Sequence, residues 1–429
     1  MNRSVPLADP ADRFPTGVQL SAYLLASRAI PVFATALLKR RLARGKEDAL
    51  RWREKLGIPG VPRPEGRLIW LHAVGLGEVL ALRALIAAMA EMQPDLSFLV
   101  TSSARSSGQV MGANLPPRTI HQFLPLDAPS FVSRFLDHWR PDLSVWAEQE
   151  LWPGAVVETA RRGIPLAMVN ARMTHEGFAR RAKIKSLYKD LLARFEVISA
   201  QDRRTAERLG LLGAAEVSVA GSLKSASPPL AVDAELLAQV RAHLAGRRIW
   251  VAASTHAEDE AEILAALPQV RDRLLILVPR DAGRAAAVGQ RLQDHELRYV
   301  QRSHGGMPTP ETQVWLADTY GELGLWYRLA EVALIGGSFG QIGGHNPWEA
   351  SALGVAVLHG PDTAQFAADY ATLNEAGAAR RLEKGGLAAA LTSVDADAMG
   401  AAGKAVVARS KGSIGPLAAR LLDLLEVQR

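Results

Sequence analysis

Short apolar runs alternate with longer amphipathic stretches along most of this chain. Residues 67–74 (RLIWLHAV) read as a strand that ends at the turn Gly75-Leu76-Gly77, after which Glu78 opens an apolar helix to Ala90. Residues 97–102 and 121–126 read as further strands, 131–139 as an amphipathic helix and 143–147 as another strand. A helix over 155–162 and a strand over 165–170 continue the alternation. Strands separated by helical stretches predict a parallel sheet covered on both faces.

The pattern pauses near Val219-Ala220-Gly221-Ser222, and residues 225–229 (SASPP) read as a linker. It restarts with a strand over 248–253, a helix over 258–267, and strands over 274–278, 314–316, 332–335 and 355–358. The economical reading is α/β: two similar doubly wound domains facing across a cleft. Their expected bounds are 47–224 and 225–429, with the last helix able to pack back on the first domain. With 429 residues, 48% of them hydrophobic, the chain is long enough for two cores. The absence of cysteine excludes disulfides, thiolate metal sites and a cysteine nucleophile. A net charge of +6 suits phosphate-bearing or membrane-surface partners without pointing to nucleic acid.

Residues 1–46 form a separate leading segment. Residues 20–38 are mostly apolar and run directly into Lys39, Arg40, Arg41, Arg44 and Lys46. A spanning helix needs about 20 apolar residues, and here Arg28 and Pro31 interrupt. The segment reads as a monotopic amphipathic anchor with a basic rim, the alternative being an ordinary buried first helix. Asp9 and Asp12, with the basic cluster after the apolar run, argue against a secretory signal.

Ligands of doubly wound sheets sit beyond the carboxyl ends of the strands, and the chemistry-bearing residues fall there. Residues 336–349 (GGSFGQIGGHNPWE) join an apolar strand to a helix over 347–353, an outline suited to an anion or nucleotide. Such turns also serve plain packing. Glu349 in that helix can hold ribose hydroxyls. Glu78, just inside a helix above a glycine turn, can accept a proton from a hydroxyl or merely complement the helix dipole. Glu148 and Glu150 point to one side if their strand persists, beside the stiff Trp152-Pro153. Lys224, in Gly221-Ser222-Leu223-Lys224, can neutralise a leaving phosphate or remain solvated. Ser254-Thr255-His256 predicts a capped phosphate-facing turn, and Pro279-Arg280 offers a bidentate phosphate partner. Asp318-Thr319-Tyr320-Gly321-Glu322-Leu323 repeats the strand–turn–helix plan. There is no Walker A lysine motif, no G-x-S-x-G elbow and no metal-ligand spacing. Asp395-Ala396-Asp397 reads as a helix cap rather than a metal site.

Taken together these segments resemble the Kdo (3-deoxy-D-manno-octulosonic acid) transferase family. Residues 69–79 (IWLHAVGLGEV) look like its W-I-H-A-V-S-x-G-E-V signature. Pro125-Leu126-Asp127, Trp139-Arg140-Pro141-Asp142, residues 148–153, Val169-Asn170-Ala171-Arg172, 221–224, 254–256, 279–280, 318–323 and 343–349 also match, in order. The resemblance implies a GT-B glycosyltransferase that moves Kdo from CMP-Kdo to a phosphorylated lipid A precursor, with inversion and without a metal or other cofactor. The acceptor would bind the first domain and the donor nucleotide the second. Glu78 matches the catalytic base, and Glu148 and Lys224 match positions that support the transition state. Pro279, Arg280, Tyr320, Gly321, Glu322, Asn346, Pro347, Trp348 and Glu349 match the CMP-contacting segments. The implied location is the cytoplasmic face of the inner membrane. There the anchor and the basic run Arg180, Arg181, Lys183, Lys185 and Lys189 would face an anionic surface. Gly75 stands where serine is usual, Gln149 where threonine is, Asp281 where histidine is, and Phe339-Gly340-Gln341 leads unusually into the glycine turn. A GT-B transferase for another activated acidic sugar, or a non-catalytic membrane-associated homologue, are the alternatives.

Overall fold

The computed structural model describes residues 14, 16–74, 76–103, 115–148, 151–226 and 229–426, leaving out the side chains of 76–78, 80, 224 and 226. The chain divides into two compact units, Met1–Ser227 with Ser410–Arg429, and Pro228–Arg409.

The first unit is built on β1 (Leu68–His72), β2 (Ser97–Ser102), β3 (Thr119–Phe123), β4 (Leu143–Ala147), β5 (Leu166–Ala171), β6 (Val197–Ala200) and β7 (Ser218–Val219). They form one parallel sheet in the order β3-β2-β1-β4-β5-β6-β7. Strands β1, β2, β4, β5 and β6 are buried at every residue, which is why they read as apolar runs rather than as alternation. Ile69, Leu71, Val100 and Val145 pack on one face with the helix Leu76–Met92. The end of the last helix, Ala396–Glu426, joins them there through Leu417, Leu421 and Leu425. Burying each of those leucines stabilises the unit by about 1.5–3 kcal/mol. Trp70, Leu99, Trp146 and Met168 pack on the other face against the helices Pro129–Trp139, Pro153–Arg161 and Lys185–Leu192.

The second unit repeats the plan with β8 (Arg248–Thr255), β9 (Arg273–Pro279), β10 (Tyr299–Gln301), β11 (Val314–Leu316), β12 (Val332–Ile335), β13 (Ala356–His359) and β14 (Ala379–Arg381). Their parallel order is β10-β11-β9-β8-β12-β13-β14. Sequence reading misses β6, β7, β10 and β14. Three of these are short and partly exposed, so they carry no apolar run to detect. The central reversal of strand order lies between β1 and β4 in the first sheet and between β8 and β12 in the second, and ligands of such sheets bind at these places.

The leading segment is two helices, Val18–Ser27 and Ile30–Ala43, bent by 58°. Among the described residues no single helix is long and apolar enough to cross a membrane. One side is docked: Leu20 is buried with Leu187 and Leu191, and the Gly17 N–H donates to Asp190 Oδ2 at 2.8 Å. The other side leaves Val18, Leu25, Val32, Phe33 and Leu37 between 51% and 85% exposed. The first helix is thus docked on one side, as an ordinary packed helix would be, and apolar but exposed on the other.

Candidate active site

In the second unit, β12 delivers the chain directly into the glycine-rich turn. Gly336 lies so close to β8 that a Cβ there would sit 2.4 Å from the Ser254 carbonyl oxygen. Gly337 has φ +71°, and a side chain on it would meet the His345 ring at 3.1 Å. The turn is held by Asp259, fully buried in the first turn of the helix Ala257–Ala266. Its Oδ2 accepts from the N–H groups of Gly337 (2.7 Å) and His256 (2.9 Å), and its Oδ1 from those of Ser338 (3.2 Å) and Phe339 (3.1 Å). Ser338 Oγ donates to the Ile335 carbonyl at 2.7 Å and accepts from the Gly360 N–H at 2.8 Å. Phe339, unusual in sequence, is a core residue beneath the turn. Asp259 escaped the sequence reading. Its signal was an acid three residues after the helix N-cap, where a carboxylate returns to the cap N–H.

His256 and His345 meet above this turn, Nε2 to Nε2 at 2.9 Å, their rings stacked at 5.2 Å and 18°. Burial, helped by the charges of Arg280 and His256, pushes the His345 imidazole down to about 4. The Arg280 N–H donates to the Thr255 carbonyl at 3.1 Å, while its exposed guanidinium has no hydrogen-bond or ion-pair partner among the described residues. Asn346 accepts from the Trp348 N–H at 3.1 Å and donates to Glu349 Oε1 at 3.2 Å. Burial raises the Glu349 carboxyl, against the opposing pull of Asn346 and Arg280. Pro347 is the N-cap of the short helix Trp348–Ala352, and buried Trp348 donates to Asp369 at 2.8 Å.

The loops after β9 and β11 adjoin. Tyr320 is 77% exposed and its hydroxyl accepts from the Ala282 N–H at 3.3 Å; Gly321 follows with φ +86°. Pro279 closes β9, and Asp281 caps the next turn by accepting from Gly283 N at 2.9 Å. Glu322 is held by Arg302 at 2.7 Å and by the Thr319 hydroxyl. Burial would raise this carboxyl, but those hydrogen bonds and the Arg302 charge outweigh it and hold it below the usual range. Arg302 in turn lies 5.9 Å from the Trp315 and Trp326 rings.

At the first unit's reversal, Glu78 follows β1 in the helix Leu76–Met92. Its side chain and that of Lys224 lie outside the described residues, as do Gly75, Gln149 and Glu150. The strand expected to carry Glu148 and Glu150 does not persist: β4 ends at Ala147, and Glu148 turns left-handed at φ +62°. Period-two alternation therefore says nothing about these two carboxylates. Asn170 is also left-handed, at φ +55°, and its Oδ1 accepts from the Leu223 N–H at 2.9 Å. It thereby fixes the segment that carries Lys224. Non-glycine residues in this region store about 1–3 kcal/mol each and gather at functional sites. Asp127, buried, accepts from Gly154 N (2.8 Å), Ala155 N (2.7 Å) and the Tyr23 hydroxyl (2.7 Å). Asp142 instead accepts from the Leu68 N–H at 2.7 Å, at the amino end of β1, so that motif is structural.

Residues 50–227 match the family described as 3-deoxy-D-manno-octulosonic-acid transferase (kdotransferase). A 3-deoxy-D-manno-octulosonic acid transferase from Rickettsia bellii is 34% identical over 345 residues, 79% of this chain and 82% of that protein. One from Haemophilus influenzae is 31% identical, covering 86% of this chain and 88% of the relative. The chain belongs to the Kdo transferase family. With a Rickettsia felis member it is 36% identical over 69% of its own length, and there the chain spans 64% of the relative. Among solved structures, a Neisseria meningitidis UDP-GlcNAc 2-epimerase superposes with TM-score 0.56 at 14% identity, covering 84% of this chain and 99% of that one. A Rickettsia africae glycosyltransferase superposes at 0.53 and 11%, covering 85% and 98%. The fold is that of GT-B glycosyltransferases, with two Rossmann-like units.

For this family member, the second unit's reversal gathers Arg280, His256, His345, Asn346 and Glu349 around one turn. The exposed guanidinium and the helix N-terminus favour an anion, and the half-buried Glu349 carboxylate offers acceptors for hydroxyls. Among the described residues no group of His, Asp and Glu is arranged to hold a metal ion.

Proposed function

We propose that this Kdo transferase family member moves Kdo from CMP-Kdo to a hydroxyl of a phosphorylated lipid A precursor, inverting the anomeric centre. The observation that carries this reading is Arg280, exposed and without a hydrogen-bond or ion-pair partner among the described residues, near Asn346 and Glu349 at the β8/β12 reversal. An exposed guanidinium with no hydrogen-bond or ion-pair partner among the described residues suits the CMP phosphate, and Glu349 suits the ribose. Tyr320, Gly321, Pro279, Pro347 and Trp348 shape the rest of the nucleotide site, with Glu322 acting through its pair with Arg302.

In the reaction, Glu78 takes the proton of the acceptor hydroxyl, whose oxygen attacks the anomeric carbon. The bond from that carbon to the phosphate oxygen breaks, and its electron pair leaves with CMP. Glu148 and Lys224 support the developing charges, and Arg280 meets the phosphate. Full-length protein incubated with CMP-Kdo and tetra-acylated lipid A precursor should add Kdo to the lipid, read by mass spectrometry. No transfer despite CMP binding would sink the reading. Glu78→Ala should lower turnover by about 10²–10⁴-fold with CMP affinity kept; surviving turnover would remove Glu78 from its role.

The same reading places the protein on the cytoplasmic face of the inner membrane. The exposed Leu25, Val32, Phe33 and Leu37, with exposed Lys39, Arg40, Lys183, Lys185 and Lys189, suit an anionic bilayer surface. Truncating residues 1–38 would also remove Leu20 and Tyr23 from the first unit's packing. The cleaner test replaces Leu25, Val32, Phe33 and Leu37 by serine: flotation with anionic vesicles should be lost, and unchanged flotation counts against the surface.

A further inference from the structure

The helix Pro153–Arg161 begins five positions after Glu148 and cannot cap its own start. Trp152 at its N-cap makes no side-chain hydrogen bond, and Pro153 has no N–H, so the donors left to satisfy are those of Gly154 and Ala155. Asp127, in the segment after β3, takes both: Gly154 N at 2.8 Å on Oδ2 and Ala155 N at 2.7 Å on Oδ1. Only glycine admits a carboxylate so close, since a Cβ on Gly154 would lie 2.8 Å from Oδ1. At Glu148 the chain is held by the sheet, its N–H donating to the Val169 carbonyl at 2.9 Å. The connection that carries Glu148 is thus pinned at one end by β5 and at the other by Asp127.

The third partner of Asp127 comes from the leading helix Val18–Ser27. The Tyr23 hydroxyl donates to Oδ2 at 2.7 Å, the same oxygen that takes the Gly154 N–H. Burial raises the Asp127 carboxyl, and the Tyr23 hydroxyl opposes this more strongly than either backbone N–H. It therefore helps to keep charged the acceptor that caps the helix. The leading helix has other fastenings. Leu20 is buried with Leu187 and Leu191, Gln19 Oε1 accepts from the Leu187 N–H at 3.1 Å, and the Gly17 N–H donates to Asp190 Oδ2. A phenylalanine would fill the same space without bringing a hydroxyl to a buried carboxylate.

We propose that Tyr23 is a positioning residue for sugar transfer: through Asp127 it sets the start of the helix Pro153–Arg161 and with it the connection that carries Glu148. This rests on the reading that Glu148 supports the transition state. The leading helix then acts on two sides. Leu25 on its outer side is exposed, while Tyr23 on its inner side reaches the chemistry through one carboxylate. The effect falls on the rate and not on the donor nucleotide, whose proposed contacts all lie in the second unit. A supporting group held slightly out of place costs turnover while ground-state binding is kept.

Tyr23→Phe in the full-length chain, assayed with saturating CMP-Kdo and tetra-acylated lipid A precursor well below its unfolding midpoint, tests this. The kcat should fall about tenfold, the order carried by a hydrogen bond to a charged group. KM for CMP-Kdo, CMP affinity and flotation with anionic vesicles should stay at wild-type values. Asp127→Asn should be at least as slow, and the double variant no slower than Asp127→Asn alone, because the hydroxyl then has no carboxylate to act on. Wild-type kcat in Tyr23→Phe would overturn the proposal, as would additive losses in the double variant. A loss of kcat that comes with lost flotation would also overturn it, making Tyr23 a fastening of the anchor. Glu148→Gln separates the two readings. If it is slow while Tyr23→Phe is not, the role of Glu148 stands and only the positioning role falls; if it turns over at the wild-type rate, both fall.

Discussion

Each unit contains a buried aspartate that holds a strand-end turn by accepting backbone N–H groups, Asp127 in the first and Asp259 in the second. Asp127 caps the helix after β4 and reaches the Tyr23 hydroxyl, tying the leading helix to the unit. Asp259 spends both oxygens on the chain: the N-cap of its own helix and three successive N–H groups of the glycine turn. One fastens an outer element to the fold; the other shapes the surface on which a ligand is proposed to lie. The side chains that look most chemical in a sequence can be scaffolding, and scaffolding of this kind decides where the glycine turn presents its groups.

The largest test of that difference is to truncate both. Asp259→Ala strands four N–H groups, and each unsatisfied buried donor costs about 1–3 kcal/mol, so the second unit should lose several kcal/mol and CMP affinity should collapse. Asp127→Ala strands fewer, costs about 2–4 kcal/mol by the same reckoning, and should leave CMP affinity unchanged. Denaturant titration alongside CMP binding reads both, and equal losses of CMP affinity would erase the distinction.

Next in size is Arg280→Ala. Hydrogen bonds to a charged group contribute about 1.5–3 kcal/mol, so CMP should bind roughly ten- to a hundredfold more weakly. Folding stability should not move, since the guanidinium is exposed. A large stability loss would assign Arg280 to the scaffold instead.

A further test contrasts the units by pH. Burial pushes His72 down to about 3, and burial with the Arg51 charge does the same to His121, both in the first unit. Their folded values lie below the unfolded one, so between about pH 3 and 6.5 the unfolded chain binds more protons. Stability therefore rises with pH across that window and is lost on acidification. In the second unit His345, held down only to about 4 and partly exposed, and His359, lowered by burial but supported by its hydrogen bonds to Gly360 and Asn374, should contribute less. Thermal unfolding between pH 7 and 4.5, with limited proteolysis to identify the unit that opens, should show the first unit failing first (about one pH unit is enough to resolve it). The reverse order would contradict the burial argument.

Much of this architecture was legible in the chain. Central strands buried on both faces stand out as apolar runs, and the turn residues after β1, β4, β8 and β12 could be named because glycine and carboxylates cluster there. Of the C-terminal acids, Asp395 does cap a helix, its Oδ1 accepting from the Ala398 N–H at 3.0 Å. The edge strands β7, β10 and β14 were invisible because half-exposed residues carry no periodic signal over so few positions. Asp142 matched a motif as well as any site residue, yet it fastens the far end of β1.

Local composition and spacing determined the class of fold, the two-unit plan and the segments that close the strands, since these depend on neighbours in sequence and on which residues avoid water. Pairings across the sheet were decided only in three dimensions. Asp259 beneath the glycine turn, Arg302 on Glu322, and His256 against His345 each join residues from different strand ends. Such partners share no periodicity. The parallel crossover brings them together.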